Sequence, residues 1–371
     1  MNNSSCVDFQ LKSNDSLSGK DESGIIFIAF ISMITLFTIV FNSILFLALA
    51  SSLMRSEKRK MSIFSSNQSL TKLIMTSFVA VEIVIGAFLM PLFVVETVND
   101  GHWKLGLLTC MVKNFFSGWM SQVSIFHICS MAVDRFLAIK YPLLYRRLTL
   151  RHALLQASLD WMIPLLVFTL SKLMDWYHDK LDKFPGVASH DFCSMTFNCF
   201  FFPVMLAFGY VFPLLVAIIL YLFILLEVHK FHIRTGRYKE QRSQDFKRDN
   251  IISINVLPDS GSVRNTAFEA NIENPDVLGK VSKNRPKPDR KNLKAYKTVG
   301  CIIVCILVCW TPPYVLSPAY VFNISLLSWP LQSRMIFVLY MNAAINPLIY
   351  MFNKSIRRAV RTLLCSKCCR N

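Results

Sequence analysis

Acidic residues are scarce in this chain. Its 371 residues include 23 Asp and Glu against 40 Lys and Arg, a formal net charge of +17. Such an excess would suit nucleic acid, but no run of interleaved aromatics and cations is present to track a strand, and the basic residues lie between apolar runs. No Cys or His spacing matches a zinc site. What the chain has is apolar length. It is 53% hydrophobic with a mean hydropathy of +0.42, too apolar for a soluble chain of this size.

Seven apolar runs lie at approximately 25–50, 70–95, 107–139, 152–173, 200–227, 299–322 and 331–352. Each is long enough to cross about 30 Å of hydrocarbon at about 1.5 Å per residue. Lipid offers backbone groups no hydrogen bonds, so the runs must be helices, numbered here one to seven. They are continuous rather than alternating, which argues against a transmembrane barrel. The expected fold is an all-α membrane protein, a seven-transmembrane-helix bundle with a short C-terminal amphipathic helix. The seventh run holds no lysine, which weakens a retinal-type pump.

Charge sets the expected orientation. The segment 51–66 carries Arg55, Lys58, Arg59 and Lys60 against Glu57, and the segment 140–151 carries Lys140, Arg146, Arg147 and Arg151 with no acid. The end from 353 carries Lys354, Arg357, Arg358, Arg361, Lys367 and Arg370, again with no acid. Basic loops belong in the cytoplasm. Residues 1–24 are net acidic, so this tail is expected outside and the C-terminus inside a plasma-membrane protein. These first residues are polar, so the expectation is no cleavable signal peptide, with helix one as signal and anchor. Asn2, Asn3 and Asn14 each begin an N-x-S sequon in the outer tail. Asn323 begins another near the outer end of helix six, while Asn67 and Asn353 begin chance ones on the cytoplasmic side.

The expected domains are the tail 1–24, the receptor-like body 25–352 and the end 353–371. Within the body, 230–297 is the one long polar stretch, with 16 basic and 8 acidic residues and no helical period. It reads as a disordered cytoplasmic loop, with FHIRTGRYK continuing helix five and RKNLKAYKTVG beginning helix six. The residues 353–364, NKSIRRAVRTLL, read as an amphipathic helix on the inner membrane face, in contact with membrane lipids. Cys365, Cys368 and Cys369 follow in a basic juxtamembrane setting that suits palmitoylation, the other reading being unmodified thiols.

Polar residues inside apolar runs are costly, so they carry the information. Asn42 lies in helix one, Glu82 in helix two, Asp134 and Arg135 at the end of helix three, and Trp161 in helix four. Pro213 and Tyr221 lie in helix five, CWTPPY (309–314) in helix six and NPLIY (346–350) in helix seven. This ordered set resembles the rhodopsin-like (class A) G-protein-coupled receptors. The resemblance covers roughly residues 25–365. VLYMNAAINPLIY and KAYKT (294–298) are most similar to receptors for biogenic amines.

The resemblance implies a receptor, not an enzyme, that passes an outer small-molecule signal to a heterotrimeric G protein. Asp134, Arg135 and Phe136 resemble the family's switch. The acid holds the arginine inward until helix six swings out, and Arg135, Tyr221 and Tyr350 then line the G-protein cleft. Asn346, Pro347 and Tyr350 belong to the helix-seven motif. A second clamp is missing, because Asn292 stands where many amine receptors have a glutamate, so raised basal activity is expected. Trp310 and Pro312 resemble the toggle and kink of helix six, with an unusual Pro313 beside them. Glu82 replaces the family's aspartate, while Ser124, Asn342 and Asn346 fall at its other sodium-pocket positions. The longer glutamate either admits an allosteric sodium ion, crowds it out or sits protonated. No other cofactor is expected. Cys110 and Cys193 resemble the disulfide tying helix three to the second outer loop. Cys6 and Cys199 form a second bridge or stay free.

The outer end departs from the amine pattern. Those receptors place an aspartate seven residues after the helix-three cysteine, and here that residue is Ser117. Met205, Leu206 and Gly209 stand where helix five would offer serines. The expected pocket is Ser117, Gly118, Ser121, Gln122, Met205, Trp310, Tyr314, Ile336 and Tyr340, apolar and aromatic with neutral polar groups. Lys113, one turn above Ser117, either meets an anionic ligand group or pairs with Glu96. A ligand-independent protein, acting as a constitutive signaller or a homo- or hetero-dimer partner, is the alternative. From Asn42 to Glu82 the chain is about a dozen residues longer than the family pattern, with SSLMRSEKRKMSIFSS as the expected insert in the first inner loop.

Overall fold

The computed structural model describes residues 22–58, 63–183, 191–197, 201–255, 290–322 and 329–368. Seven helices are long and apolar enough to cross a membrane. Helix one runs Glu22–Lys58 and opens on an acid in its first turn, where the helix dipole favours negative charge. Helix two combines Ile63–Val84, a π turn at Ile85–Leu89 and Met90–Val98. Helix three is Gly106–Lys140, followed by the short inner helix Pro142–Arg147 and helix four, Leu150–Leu173. Helix five combines Phe201–Leu206, a π turn at Ala207–Val211 and Phe212–Asn255. Helix six is Arg290–Phe322 and helix seven Trp329–Met351. Helix eight, Lys354–Cys368, packs beside helix one.

The π turns have a common cause. Each lies just before a proline, Pro91 in helix two and Pro213 in helix five. A proline gives up its hydrogen bond to the carbonyl four residues back and clashes with it, and a wider turn relieves both. The freed Pro213 region is used, since the Cys129 thiol of helix three donates to the Pro213 carbonyl at 2.9 Å.

Three local expectations are corrected. Helix five continues through FHIRTGRYK as expected but stays helical on to Asn255, so 240–255 is not irregular loop, while helix six begins at Arg290, the first residue of RKNLKAYKTVG. The residues after Pro213 contain no proline until Pro258, and their Lys, Glu, Gln and Arg are good helix formers, so polarity alone did not end the helix. The extra first-inner-loop residues lengthen helix one to Lys58 and start helix two at Ile63 instead of forming a long loop. The amphipathic helix runs to Cys368 rather than stopping at 364. It buries Ile356, Ala359 and Val360 against the bundle and leaves Lys354, Arg358 and Arg361 exposed.

The bundle carries one element outside the all-α pattern. Tyr177–Lys183 pairs antiparallel with Asp191–Phe197 between helices four and five. The Cys110–Cys193 disulfide, with Cα atoms 5.6 Å apart, fastens this hairpin to helix three. The main apolar core joins Leu49, Phe78, Ile128, Met131, Ile302, Trp310 and Tyr350 across the inner half. A second core, around Ile31, Met90, Met120 and Tyr340, fills the outer half. Buried amides stitch the helices together. Asn42 Nδ2 donates within helix one to the Thr38 carbonyl at 2.9 Å and across to the Ala343 carbonyl of helix seven at 3.1 Å.

Candidate functional site

At the inner end, Asp134 and Arg135 are nearly buried, at 8% and 5% exposure. Arg135 Nε donates to Asp134 Oδ2 at 2.9 Å, and Arg135 Nη2 reaches that oxygen and Thr71 Oγ1. Thr71 Oγ1 donates to Asp134 Oδ2 at 2.9 Å, and the Tyr145 hydroxyl donates to Asp134 Oδ1 at 2.8 Å. Every acceptor site of the acid that faces the bundle is thus used, which a buried ion pair needs if desolvation is to be offset. Burial first, and then the Asp134 carboxylate, push the Tyr145 phenol above its ordinary pKa, so it remains a proton donor. Lys140 Nζ of helix three meets Glu227 Oε1 of helix five at 2.7 Å.

Tyr221 packs against two core clusters, and its hydroxyl fills the space above Gly300 of helix six. A Cβ built on Gly300 would lie 1.9 Å from that hydroxyl, so only glycine allows this approach. Tyr350 is fully buried and donates to Met131 Sδ at 3.7 Å. Pro347 sits inside helix seven. The Asn292 side chain lies outside the described residues.

In the middle of the bundle Glu82 is fully buried, and Asn346 Nδ2 donates to its Oε1 at 2.9 Å. Glu82 Oε2, Ser124 Oγ, Asn342 Oδ1 and Asn346 Oδ1 are buried without a protein partner. Four orphaned oxygens of this kind fit a hard cation with oxygen ligands or bound water.

At the outer end the structure separates the expected pocket residues. Of the two options for Lys113, the pairing is present: its Nζ meets Glu96 Oε2 at 2.7 Å and lies 4.7 Å from the centre of the Trp103 ring. Ser117 hydrogen-bonds to Tyr340, linking helices three and seven at the position of the absent aspartate. Tyr340 packs at a tilt against Phe93, ring centres 5.4 Å apart, with Ile336 in the same cluster. Trp310 stacks on Tyr314 at 6.0 Å, and Tyr314 stacks on Tyr210 of helix five at 4.2 Å and 1° between ring planes. The Tyr210 hydroxyl is 3.0 Å from Thr311 Oγ1. Gln122 is buried against Gly209, whose added Cβ would lie 2.4 Å from its amide nitrogen. Met205 belongs to a separate aromatic cluster with Phe115, Trp119, Phe168, Tyr177 and Phe201. Ser121 is half-buried on helix three.

Sequence reasoning missed Thr71, Tyr145 and Tyr210. Thr71 and Tyr145 act only through the fold of the inner loop, and neither residue type is unusual at a membrane edge. Tyr210 is turned by the π turn it sits in, which breaks the 3.6-residue register on which helix-five positions are counted. Cys365 is a free, exposed thiol, the Cys368 side chain lies outside the description, and so do Cys369, Asn2, Asn3, Asn14, Cys6 and Cys199.

Comparison with known proteins agrees with this geometry. Among curated proteins, the 5-hydroxytryptamine receptor 4 of Cavia porcellus is 25% identical over 312 residues, covering 80% of this chain and 71% of its own. The octopamine receptor beta-2R of Chilo suppressalis is 25% identical over 307 residues, covering 81% and 72%. The human trace amine-associated receptor 2 is 25% identical over 312 residues, covering 82% and 76%. The family described as 7 transmembrane receptor (rhodopsin family) matches residues 61–350. With seven apolar helices, the helix-three disulfide and the Asp134–Arg135 pair all inside or beside that match, the chain belongs to the rhodopsin family of seven-transmembrane receptors.

Proposed function

We propose that this multi-pass plasma-membrane receptor couples a small aromatic outer ligand to a G protein by outward movement of helix six. The observation that carries the switch is the hydrogen-bond set of Arg135. Among the described residues it bonds to Asp134 of helix three itself and to Thr71 of helix two, so the closed arrangement is held by helices two and three. Helix six is held instead by packing, with Tyr221 seated at Gly300. Opening unseats Tyr221 and frees it, with Tyr350, to line a cleft with Arg135. A ligand that stacks on Tyr314 and Trp310 changes the population of the two arrangements only if it fits one better.

The pocket reads its ligand through neutral hydrogen bonds at Ser117 and Tyr340 and through aromatic stacking at Tyr314. An ammonium finds no acid at 117, and Lys113 is already neutralised by Glu96. Although the relatives named above carry amine names, the ligand of this chain is an uncharged aromatic molecule. Glu82, Ser124, Asn342 and Asn346 would hold a sodium ion, which would supply positive charge beside Glu82 when bound. The N-terminus lies outside with sugar on Asn2, Asn3 and Asn14, and the basic C-terminal end lies inside with acyl chains on Cys365, Cys368 and Cys369. Expression with promiscuous G proteins and a panel of amines, nucleosides, lipids, small acids and neutral aromatics tests the reading. A response confined to neutral aromatics supports it. Full basal signal with no response to any compound favours the ligand-independent alternative.

A further inference from the structure

Helices two, three and four meet at a polar cluster that the signalling roles leave unused. His127 of helix three is fully buried and Asp160 of helix four is 1% exposed. His127 Nδ1 lies 2.9 Å from the Val123 carbonyl, which can only accept, so Nδ1 carries a proton. Nε2 lies 2.8 Å from Ser77 Oγ of helix two and 4.0 Å from Asp160 Oδ2. Ser77 Oγ also accepts from Trp161 Nε1 at 2.9 Å, which leaves its own hydroxyl proton to donate to Nε2. The imidazole is then neutral, with every polar atom used.

Asp160 is used unevenly. Its Oδ1 accepts from Ser130 Oγ at 2.8 Å and from Gln156 Nε2 at 3.2 Å. Its Oδ2 is buried with no hydrogen-bond partner and faces the imidazole. The other ionisable groups nearby are turned away. The Cys129 thiol donates to the Pro213 carbonyl, and Glu82, the next acid along helix two, is bound by Asn346. An ionised carboxyl with one bare oxygen in a bilayer interior is expensive, and no cation is paired with it. Two donors on one oxygen and none on the other is the arrangement of a protonated carboxyl, in which the carbonyl oxygen accepts and the hydroxyl oxygen carries hydrogen.

We propose that Asp160, beside the neutral imidazole of His127, is a buried proton-binding site that holds one proton on its Oδ2. Release of that proton leaves a carboxylate beside a neutral imidazole, and nothing in the cluster neutralises it. Ser130, which holds Asp160 Oδ1, lies one helical turn before Asp134 on helix three, so strain at the site is passed to the segment bearing the switch.

The test uses the full-length receptor in phospholipid nanodiscs with ¹³C-labelled aspartate. Infrared spectra at neutral pH should contain a protonated-carboxyl band that Asp160→Asn removes. Folding favours the protonated form, so thermal stability should be greatest at low pH and fall as pH rises, while Asp160→Asn, which mimics the protonated group, should lose that alkaline decline. No such band in the wild type, a band that survives Asp160→Asn, or an equal alkaline decline in both proteins overturns the proposal. Should Asp160→Asn fail to fold, His127→Gln decides, since a shifted carboxyl band supports the site and an unshifted one overturns it.

Discussion

The two ends of the bundle are built from different interactions. At the inner end the polar network of Asp134, Arg135, Thr71 and Tyr145 spans two helices and a loop, with both carboxyl oxygens satisfied. At the outer end the corresponding work is done by aromatic stacking, Trp310 on Tyr314 on Tyr210, and by one neutral hydrogen bond between Ser117 and Tyr340. The charged groups there, Lys113 and Glu96, neutralise each other. On the proposed function the inner end meets a G protein whatever the ligand, whereas the outer end meets the ligand. A receptor can therefore keep its transducing chemistry while its recognition chemistry is replaced.

The largest expected effect falls on the inner end. Arg135→Ala removes one partner of a buried pair, a change that costs about 3–5 kcal/mol in typical cases, and it removes the group proposed above to meet the G protein. Signalling should drop to the level of empty-vector cells while surface antibody staining persists. Persistent signal in that variant would break the comparison, because coupling would then not run through the polar end.

Next in size is the attempt to convert the outer end. Ser117→Asp places a carboxylate beside Tyr340, at the position where the resemblance to amine receptors implies an aspartate. An ion pair formed there should lower the amine concentration needed for a response at least about tenfold, corresponding to about 1.4 kcal/mol. Concentration–response curves for a set of aromatic amines measure it. If no amine gains potency, the outer end differs from its relatives in shape as well as charge, and the Tyr210–Tyr314 stack is the first place to look.

The contrast also explains what was legible in the sequence. Asn42, Glu82, Asp134, Arg135 and Asn346 stood out because polar groups in apolar runs are rare and costly, and all five are buried in the bundle. The Lys113–Glu96 pair was legible as one of two options, since both charges sit at the same outer level. Thr71 and Tyr145 were not, because a threonine and a tyrosine at a membrane edge carry no signal until the inner loop folds. Tyr210 was hidden by the π turn, which shifts the face a helix presents. Helix five beyond 239 was hidden for the reverse reason, as polarity was read as loop where propensity still favoured helix.

A third prediction concerns packing rather than charge. Gly300→Ala puts a methyl group where the Tyr221 hydroxyl sits, a contact of 1.9 Å if nothing moves. Helix six must shift away or Tyr221 must leave, and both favour the open arrangement. Basal second-messenger output should rise several-fold, which needs only about 1 kcal/mol of bias. Adding Tyr221→Phe removes the closest clashing atom but leaves the ring Cζ 2.3 Å from the new methyl, so basal output of the double variant should fall only part of the way back from that of Gly300→Ala. Unchanged basal output in Gly300→Ala would place the restraint on helix six elsewhere.

The smallest expected effect is the most discriminating for the inner network. Tyr145→Phe deletes one hydroxyl that donates to Asp134 Oδ1 and lies 3.2 Å from Thr71 Oγ1, and leaves the bonds of Arg135 and Thr71 to Asp134 Oδ2 in place. The loss of a hydrogen bond to a charged acceptor is worth about 1.5–3 kcal/mol. Asp134 Oδ1 is then left without its donor. Because Asn292 offers no acid on helix six, no second ion pair compensates, and basal output should rise by a smaller factor than in Gly300→Ala. Installing the missing clamp with Asn292→Glu should return the Tyr145→Phe receptor toward its original basal level. That reversal requires the two clamps to act on the same arginine, so its absence would mean that Tyr145 shapes the inner loop and does not restrain the switch.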